Sequence, residues 1–469
     1  MMSNNTSSAA LGDLFSAQQQ AFDAQPMPSA SQRIEWLSAL RALLASEQQM
    51  LADTISADFS HRSHDETRLA ELMPSLEGID YACKRIKRWM KPSKRKVGLA
   101  FQPASAQVIY QPLGVVGVIV PWNYPLFLSI GPLTGALAAG NRVMIKMSEH
   151  TPRTAQLLKE LLARVFAEDL VCVVQGEADL AVAFSELPFA HLLFTGSTQV
   201  GRHVMRAAAK NLTPVTLELG GKSPVIISAD VPLAEAAERI AFGKTVNAGQ
   251  TCVAPDYILV PEARIDAFVE AMRSSVLKFY PTLADNPDYT AIINPQHLQR
   301  LHDTVTDATR LGASAIAIHA EGQGQRFPLT LLLNVSNEMR VMHDEIFGPI
   351  LPIVSYQTLD DALAYIRQRP RPLALYYFGY QRDEQQYVLH HSHAGGVCIN
   401  DTLLHVAQHD LPFGGIGPSG MGHYHAHEGF LTFSHSKAVF SKQGFNAAKL
   451  IYPPYGGWLQ KLILKFFLR

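Results

Sequence analysis

Between residues 107 and 194 the chain carries five short runs rich in β-branched and apolar residues, at 108–110, 115–120, 143–145, 171–174 and 192–194, with helical stretches between them. A strand that is apolar at successive positions has to bury both faces. Strands of that kind alternating with helices predict a parallel sheet covered by helices on both sides. Such sheets present their functional loops at the carboxyl ends of the strands. The clearest helix covers 152–167, with Thr151 as N-cap, Pro152 at the first helical position, and Leu157, Leu158, Leu161, Leu162 and Val165 on its buried face.

The α/β texture recurs over 225–405 and predicts a second unit. Residues 31–90 read as helices, because Ile34, Leu37, Leu40, Leu43 and Leu44 fall at helical spacing. The basic stretch 91–96 reads as a solvated loop. At roughly 150 residues per domain, 469 residues suggest about three lobes.

A hydrophobic share of 47% with 17% charged residues is that of a folded globular chain. The net charge of −1 provides no general attraction to nucleic acid or to an acidic membrane. Cys83, Cys172, Cys252 and Cys398 form no CxxC pair, so neither a zinc site nor a disulfide framework is expected. Few cysteines in so long a chain fit a reducing compartment. The first ten residues are polar, no apolar run follows them, and no 18-residue apolar stretch occurs, so a cytoplasmic location is expected.

Six segments carry groups suited to chemistry. Asn123, in Pro121-Trp122-Asn123 after the run 115–120, can offer an amide to an oxyanion, or can serve only as a turn former beside prolines. Lys146 and Glu149 can grip ribose hydroxyls or form a surface ion pair. Gly196, Ser197 and Gly201 open a helix after a strand, where phosphate can approach backbone N–H groups, although the Gly-x-Gly-x-x-Gly spacing is absent. Glu218, between leucines and before Gly220-Gly221, is either a buried general base or half of an ion pair. Cys252 follows a Gly-Gln-Thr turn. It is a nucleophile if a nearby positive potential lowers its pKa, and an inert core thiol otherwise. Glu345 and Phe347 can bind a ribose and buttress a flat ring, or can simply form a turn closed by Gly348-Pro349.

Taken in order, Pro-Trp-Asn, Lys-x-Ser-Glu, Phe-Thr-Gly-Ser, Glu-Leu-Gly-Gly-Lys, Gly-Gln-x-Cys and Glu-x-Phe-Gly-Pro resemble the aldehyde dehydrogenase superfamily over about residues 107–440. Gly-Gln-Thr-Cys-Val-Ala-Pro-Asp-Tyr and the late Leu-Pro-Phe-Gly-Gly-Ile-Gly run are similar to its class 3 branch, and within it to the bacterial coniferyl-aldehyde dehydrogenases. The one departure in the motifs is Met147, where the family commonly has proline.

This resemblance implies two parallel-sheet α/β domains plus a small β oligomerisation arm. It implies an NAD(P)-binding domain from 1–99 and 118–220, a catalytic domain at 221–405, an arm at 100–117 and 430–450, and a tail at 451–469. Cys252 would attack the aldehyde, Asn123 would hold the oxyanion, and Glu218 would activate water against the thioester. Trp122, Lys146, Glu149, Gly196, Ser197, Gly201, Glu345 and Phe347 would contact the cofactor. The cofactor is NAD, with NADP as the alternative, and no metal is expected. A CoA-acylating dehydrogenase, a non-catalytic nucleotide-binding protein on the same scaffold and a thiol esterase are the competing readings.

The resemblance also implies a homodimer in which 108–110, as an edge strand, is extended by a partner. His423, His425 and His427 alternate and would share one face of a strand, as metal ligands or as a solvated edge. The tail places Lys461, Lys465 and Arg469 four apart among Leu462, Ile463, Phe466 and Phe467. It is too short to span a bilayer and would pack on its own subunit, on a partner, or on a membrane surface.

Overall fold

The structure, a computed structural model, describes residues 6–98, 101–320, 322–442, 444–446, 449 and 451–468. Among the described residues the strands form three sheets. One sheet runs in the order Gly420–Met421, Val215–Glu218, His191–Thr195, Val115–Ile119, Arg142–Lys146, Val171–Val174, parallel except for its two-residue edge strand. Its middle strand Val115–Ile119 is buried at every residue, as an unbroken apolar run requires. The second sheet runs Ser314–Ala317, Thr330–Leu333, Ile350–Tyr356, Tyr257–Pro261, Pro224–Ile227, Ala374–Phe378, Gly396–Ile399, and only Ser314–Ala317 is antiparallel to its neighbour. The third joins Ser93–Arg95, Ala104–Pro112 and Ser434–Lys442, all antiparallel.

Helices cover the sheets where the spacing of apolar residues demands it. Helix Ala30–Ser46 buries Leu37, Leu40, Leu43 and Leu44. Helix Phe127–Ala139 is buried along nearly its whole length and stops at Gly140, whose φ of 95° only glycine adopts cheaply. Helix Ser8–Ala24, not anticipated from the sequence, lies on the first sheet and ties it down through Gln18, whose side chain donates to the Val143 and Glu168 carbonyls. Residues 1–5, 99 and 100 of the expected first domain and arm lie outside the described residues, as do 443, 447, 448 and 450.

Several expectations need correction. The arm does not occupy 100–117 and 430–450 as blocks. Residues 115–117 belong to the first sheet and 430–432 end the helix Ala426–Thr432, while Ser93–Arg95, read as a loop, joins the arm. Residues 108–110 lie in the middle strand of the arm, with Val108 paired to Ser93 on one side and Ala438 on the other. The outer strands are therefore Ser434–Lys442 and the short Ser93–Arg95, a pairing that local pattern does not encode. The helix expected over 152–167 ends at Leu162, because Arg164 and Val165 make tight bonds to the Leu161 and Leu162 carbonyls and the chain must turn into the strand at Val171.

His423, His425 and His427 share no strand. His423 is exposed, His425 is a buried N-cap, and His427 is half-buried. No group of three or more metal-ligating side chains forms among the described residues. The tail is a helix, Trp458–Phe467, with no buried residue and with Leu459, Gln460 and Ile463 partly buried. Arg469 lies outside the described residues. Among them no helix is long and apolar enough to cross a membrane.

Candidate active site

The thiol-bearing turn is built against its own backbone preferences. Helix Leu233–Thr245 runs into Val246–Gly249, where Asn247, Ala248 and Gly249 have φ of 50°, 50° and 71°. Left-handed non-glycine residues cost about 1–2 kcal/mol each, so other contacts must impose the turn. The Asn247 N–H donates to the Glu66 carboxylate at 3.1 Å, and its amide donates to the Asn123 and Gln250 carbonyls. The Gln250 amide spans the Asn247 and Ala291 carbonyls and accepts from the Ile293 N–H. A Cβ on Gly249 would sit 2.6 Å from the Gly348 oxygen, which explains the Gly-Gln-Thr-Cys order.

The same contacts hold the loop 121–127. Arg62 is fully buried and bonds Glu71 at 2.7 Å, Glu66 at 3.2 Å and the Asn123 carbonyl at 3.3 Å. The second Glu71 oxygen accepts from the Leu126 and Phe127 N–H groups. Stripping one partner from a buried pair costs about 3–5 kcal/mol, so this cluster is a stiff brace. It aims Asn123, whose amide nitrogen gives one N–H to the Gln250 carbonyl at 3.1 Å and keeps the second uncommitted. Sequence reading missed Arg62, Glu66 and Glu71. Glu66 and Glu71 sit on the buried side of helical segments and Arg62 lies in the loop before them.

Glu218 ends the strand Val215–Glu218, is buried, and has no partner on either carboxylate oxygen. Burial alone pushes its pKa well above the usual carboxylate range. The Cys252 thiol is pushed up to about 12 by burial and by the charges of Glu345 and Glu218, with the N–H groups of Cys252 and Val253 acting the other way. The cation expected beside the thiol is therefore not its neighbour; two carboxylates are. Glu345 packs so tightly on Gly220 that a Cβ there would lie 2.0 Å from its carboxylate, and the Gly221 N–H bonds it. The Gly220-Gly221 pair thus makes room for Glu345.

Two cavities continue away from this centre as one groove. A cavity of about 460 Å³ is lined by Asn123, Glu218, Cys252, Glu345 and Phe347 among others. A cavity of about 710 Å³ reaches Lys146 and Glu149. They share Trp122, Gly196, Ser197 and His297, so an extended dinucleotide has an unbroken path from Glu149 to Cys252. Ser197 caps helix Thr198–Ala209, whose free N–H groups begin at the groove and favour an anion. Lys146 is buried, donates to the Met147 carbonyl and stands 4.0 Å from Glu149. Trp122 packs against Phe347 at 5.3 Å and against His297, which sequence reading overlooked, at 5.1 Å.

Gly201 departs from expectation. It lies behind the groove, and a Cβ there would strike Leu219 at 2.7 Å, so its role is helix–sheet packing.

On the opposite side of Cys252 lies a third cavity, of about 430 Å³, walled by Leu69, Met73, Phe127, Phe242, Phe413 and Tyr424. Asp65, Glu66, Glu77 and Asp288 also line it, and among the described residues no lysine or arginine does. Tyr124 lines it too and meets the Thr251 hydroxyl at 2.8 Å. Cys252 borders both this cavity and the nucleotide groove.

The family model described as "Aldehyde dehydrogenase family" matches residues 4–439. A protein of Pseudomonas aeruginosa named probable coniferyl aldehyde dehydrogenase is 69% identical over 97% of this chain and 96% of its own length. The solved structure titled as a substrate-bound state of Staphylococcus aureus AldH superposes with a TM-score of 0.92 at 38% identity, covering 98% of this chain and 99% of that one. An aldehyde dehydrogenase of Mycobacterium tuberculosis complexed with NAD+ superposes with a TM-score of 0.85 at 30% identity, covering 94% and 92%. Members of aldehyde dehydrogenase family 3 match as well.

Proposed function

Because this chain belongs to the aldehyde dehydrogenase family, we propose that Cys252 is the nucleophile of its NAD(P)-dependent oxidation of aldehydes to acids, with Asn123 holding the oxyanion and Glu218 activating the water. The observation that carries this reading is the position of Cys252, which with Leu128 borders both the nucleotide groove and the apolar cavity and is the one of the two able to act as a nucleophile. Only there can one sulfur meet an aldehyde from one side and a hydride acceptor from the other.

The Cys252 sulfur, its proton given up to solvent, bonds the aldehyde carbon. The carbonyl oxygen becomes an oxyanion held by the free N–H of Asn123 and the backbone N–H of Cys252. Bound oxidised nicotinamide supplies the hydride acceptor and one positive charge. Loss of hydride from the substrate carbon leaves a thioester on Cys252. Water then attacks the acyl carbon, its proton goes to Glu218, the C–S bond breaks, and the acid departs. Trp122, Lys146, Glu149, Gly196, Ser197, Glu345 and Phe347 hold the cofactor in the groove. The Glu149 carboxylate suits a ribose 2′-hydroxyl and so favours NAD over NADP.

The substrate is a neutral aromatic aldehyde such as coniferaldehyde, with medium-chain aliphatic aldehydes as the alternative. The relative's name and the ring-lined cavity support the first. Asp65 and Glu66 pair with Arg68 and Arg62, which leaves Glu77 and Asp288 as the negative charge bordering that cavity; at an effective dielectric of about 20, one unit charge at close range is worth a few kcal/mol. 4-Carboxybenzaldehyde is therefore expected to have a kcat/KM at least about tenfold below that of benzaldehyde, a difference of about 1.4 kcal/mol. A panel of aldehydes assayed without CoA, with NAD and with NADP, tests both statements. No acid product without CoA would sink the reading, and equal kcat/KM for the charged and neutral pair would remove the charge argument.

The assembly is a cytoplasmic homodimer joined along Ser434–Lys442, the exposed outer strand of the arm. The helix Trp458–Phe467, which buries no residue and carries Lys461 and Lys465 among apolar residues, rests on an anionic membrane surface. Sedimentation velocity at micromolar concentration is expected to give a dimer. Vesicles containing phosphatidylserine are expected to bind the full chain and not one ending at residue 457. A monomer, or equal vesicle binding by both chains, would end the respective proposal.

A further inference from the structure

We infer that the substrate site selects aromatic aldehydes with a hydroxyl on the ring, which Thr134 and His425 recognise from a small cavity behind the site's aromatic wall; the inference rests on the aldehyde-oxidation reading above. This cavity, of about 50 Å³, lies between helix Met73–Trp89, helix Phe127–Ala139 and the start of helix Ala426–Thr432, where Gly78, Gly131 and Gly135 leave room for it. Its polar groups have nothing to bond. The Thr134 hydroxyl, both ring nitrogens of His425 and Nε2 of His409 are buried without a hydrogen-bond partner among the described residues. Thr134 and His425 are each 8% exposed, and Glu77 stands 3.9 Å from His409, beyond hydrogen-bond reach. Burial, with His409, His405 and His423 nearby, pushes the His425 pKa down to about 3, so its ring is neutral and offers one donor and one acceptor.

The small cavity adjoins the apolar cavity beside Cys252. Pro74, Phe127 and Tyr424 line both, so the partition is one side chain thick. The His425 ring stacks on Phe413 at 5.0 Å and meets Tyr424 and Phe127 edge-on at 4.8 and 6.5 Å, and all three rings wall the apolar cavity. Tyr424 is held in place, since it is 2% exposed and a Cβ on Gly131 would lie 3.3 Å from its Cε2. Phe127 is only half-buried and is the ring that can give way. Buried polar groups left unpaired are costly, so whatever pairs them gains affinity. A phenolic hydroxyl does so. Its O–H donates to the bare nitrogen of His425, its oxygen accepts from the Thr134 hydroxyl, and the volume admits a group of about that size. Glu77 and Asp288 also border the apolar cavity, but both are exposed, so a hydroxyl bonded to them only replaces water.

The test is the ratio of kcat/KM for 4-hydroxycinnamaldehyde to that for cinnamaldehyde, measured with NAD in the unsubstituted enzyme, in Thr134→Val and in His425→Phe. Each substitution keeps the approximate shape of the side chain and removes polar atoms that have no partner in the protein. The unsubstituted enzyme is expected to prefer the hydroxylated aldehyde by about tenfold, and each variant to bring the ratio severalfold down toward one. A general disturbance of packing lowers both substrates alike and leaves the ratio where it was. A ratio near one in the unsubstituted enzyme, or a preference that survives both substitutions, would overturn the inference and leave the small cavity to water. Absence of acid from both aldehydes would instead remove the oxidation reading on which the inference rests.

Discussion

Cys252→Ala is expected to lower acid formation by about 10⁴-fold or more while NAD still binds to the protein. The size of the effect follows from the place of the sulfur. Only Leu128 shares its place on both cavities, and a leucine cannot take the acyl group. Alanine leaves a small void at a half-buried residue and does not touch the brace of Arg62, Glu66 and Glu71 that shapes the turn. Cofactor binding should survive because the groove is lined by residues from 119 to 210 as well as by Glu345 and Phe347. Equilibrium fluorescence titration with NADH and a coupled assay for acid are the two measurements. Full turnover by this variant would refute the proposed mechanism at its first step.

Glu218→Gln is expected to stop the reaction halfway. One equivalent of reduced cofactor per active subunit should appear rapidly, and steady turnover should then fall by about 10²–10⁴-fold, the usual range for a lost general base. The carboxamide has the shape of the acid but cannot accept the proton of the attacking water. The pH profile separates this from a packing effect. Burial raises the Glu218 pKa, so its ionised, base-competent form appears only at higher pH than for an ordinary carboxylate. Hydrolysis of the thioester should therefore rise with pH through that raised value in the unsubstituted enzyme, and the Gln variant should lose this limb. A variant with unchanged steady turnover, or a limb that persists in it, would assign the water activation to another group.

The contrast between these two groups shows what local sequence encodes. Glu218 could be singled out because leucines on both sides predict burial and burial predicts a raised pKa, and the structure has that arrangement. The environment of Cys252 could not be read in this way. A cation was expected near the thiol, but its charged neighbours are Glu218 and Glu345, which come from chain segments 34 residues before and 93 residues after it. Gly201 misled for the related reason that a glycine at a helix start serves equally for phosphate approach and for packing. The contact with Leu219 decides between them.

The sequence by itself determined the α/β class, the order of the motifs that identifies the family, and the identity of the groups able to do the chemistry. Those properties live in periodicity, in turn residues and in side-chain type, all of which are local. The tertiary structure decided which of those groups meet. It set 108–110 inside the arm between the outer strands Ser93–Arg95 and Ser434–Lys442, and left the tail helix with no buried residue. Each of these depends on pairing between segments far apart in the chain. Such pairing is chosen by the packing energy of the whole molecule and leaves no mark on the residues nearby.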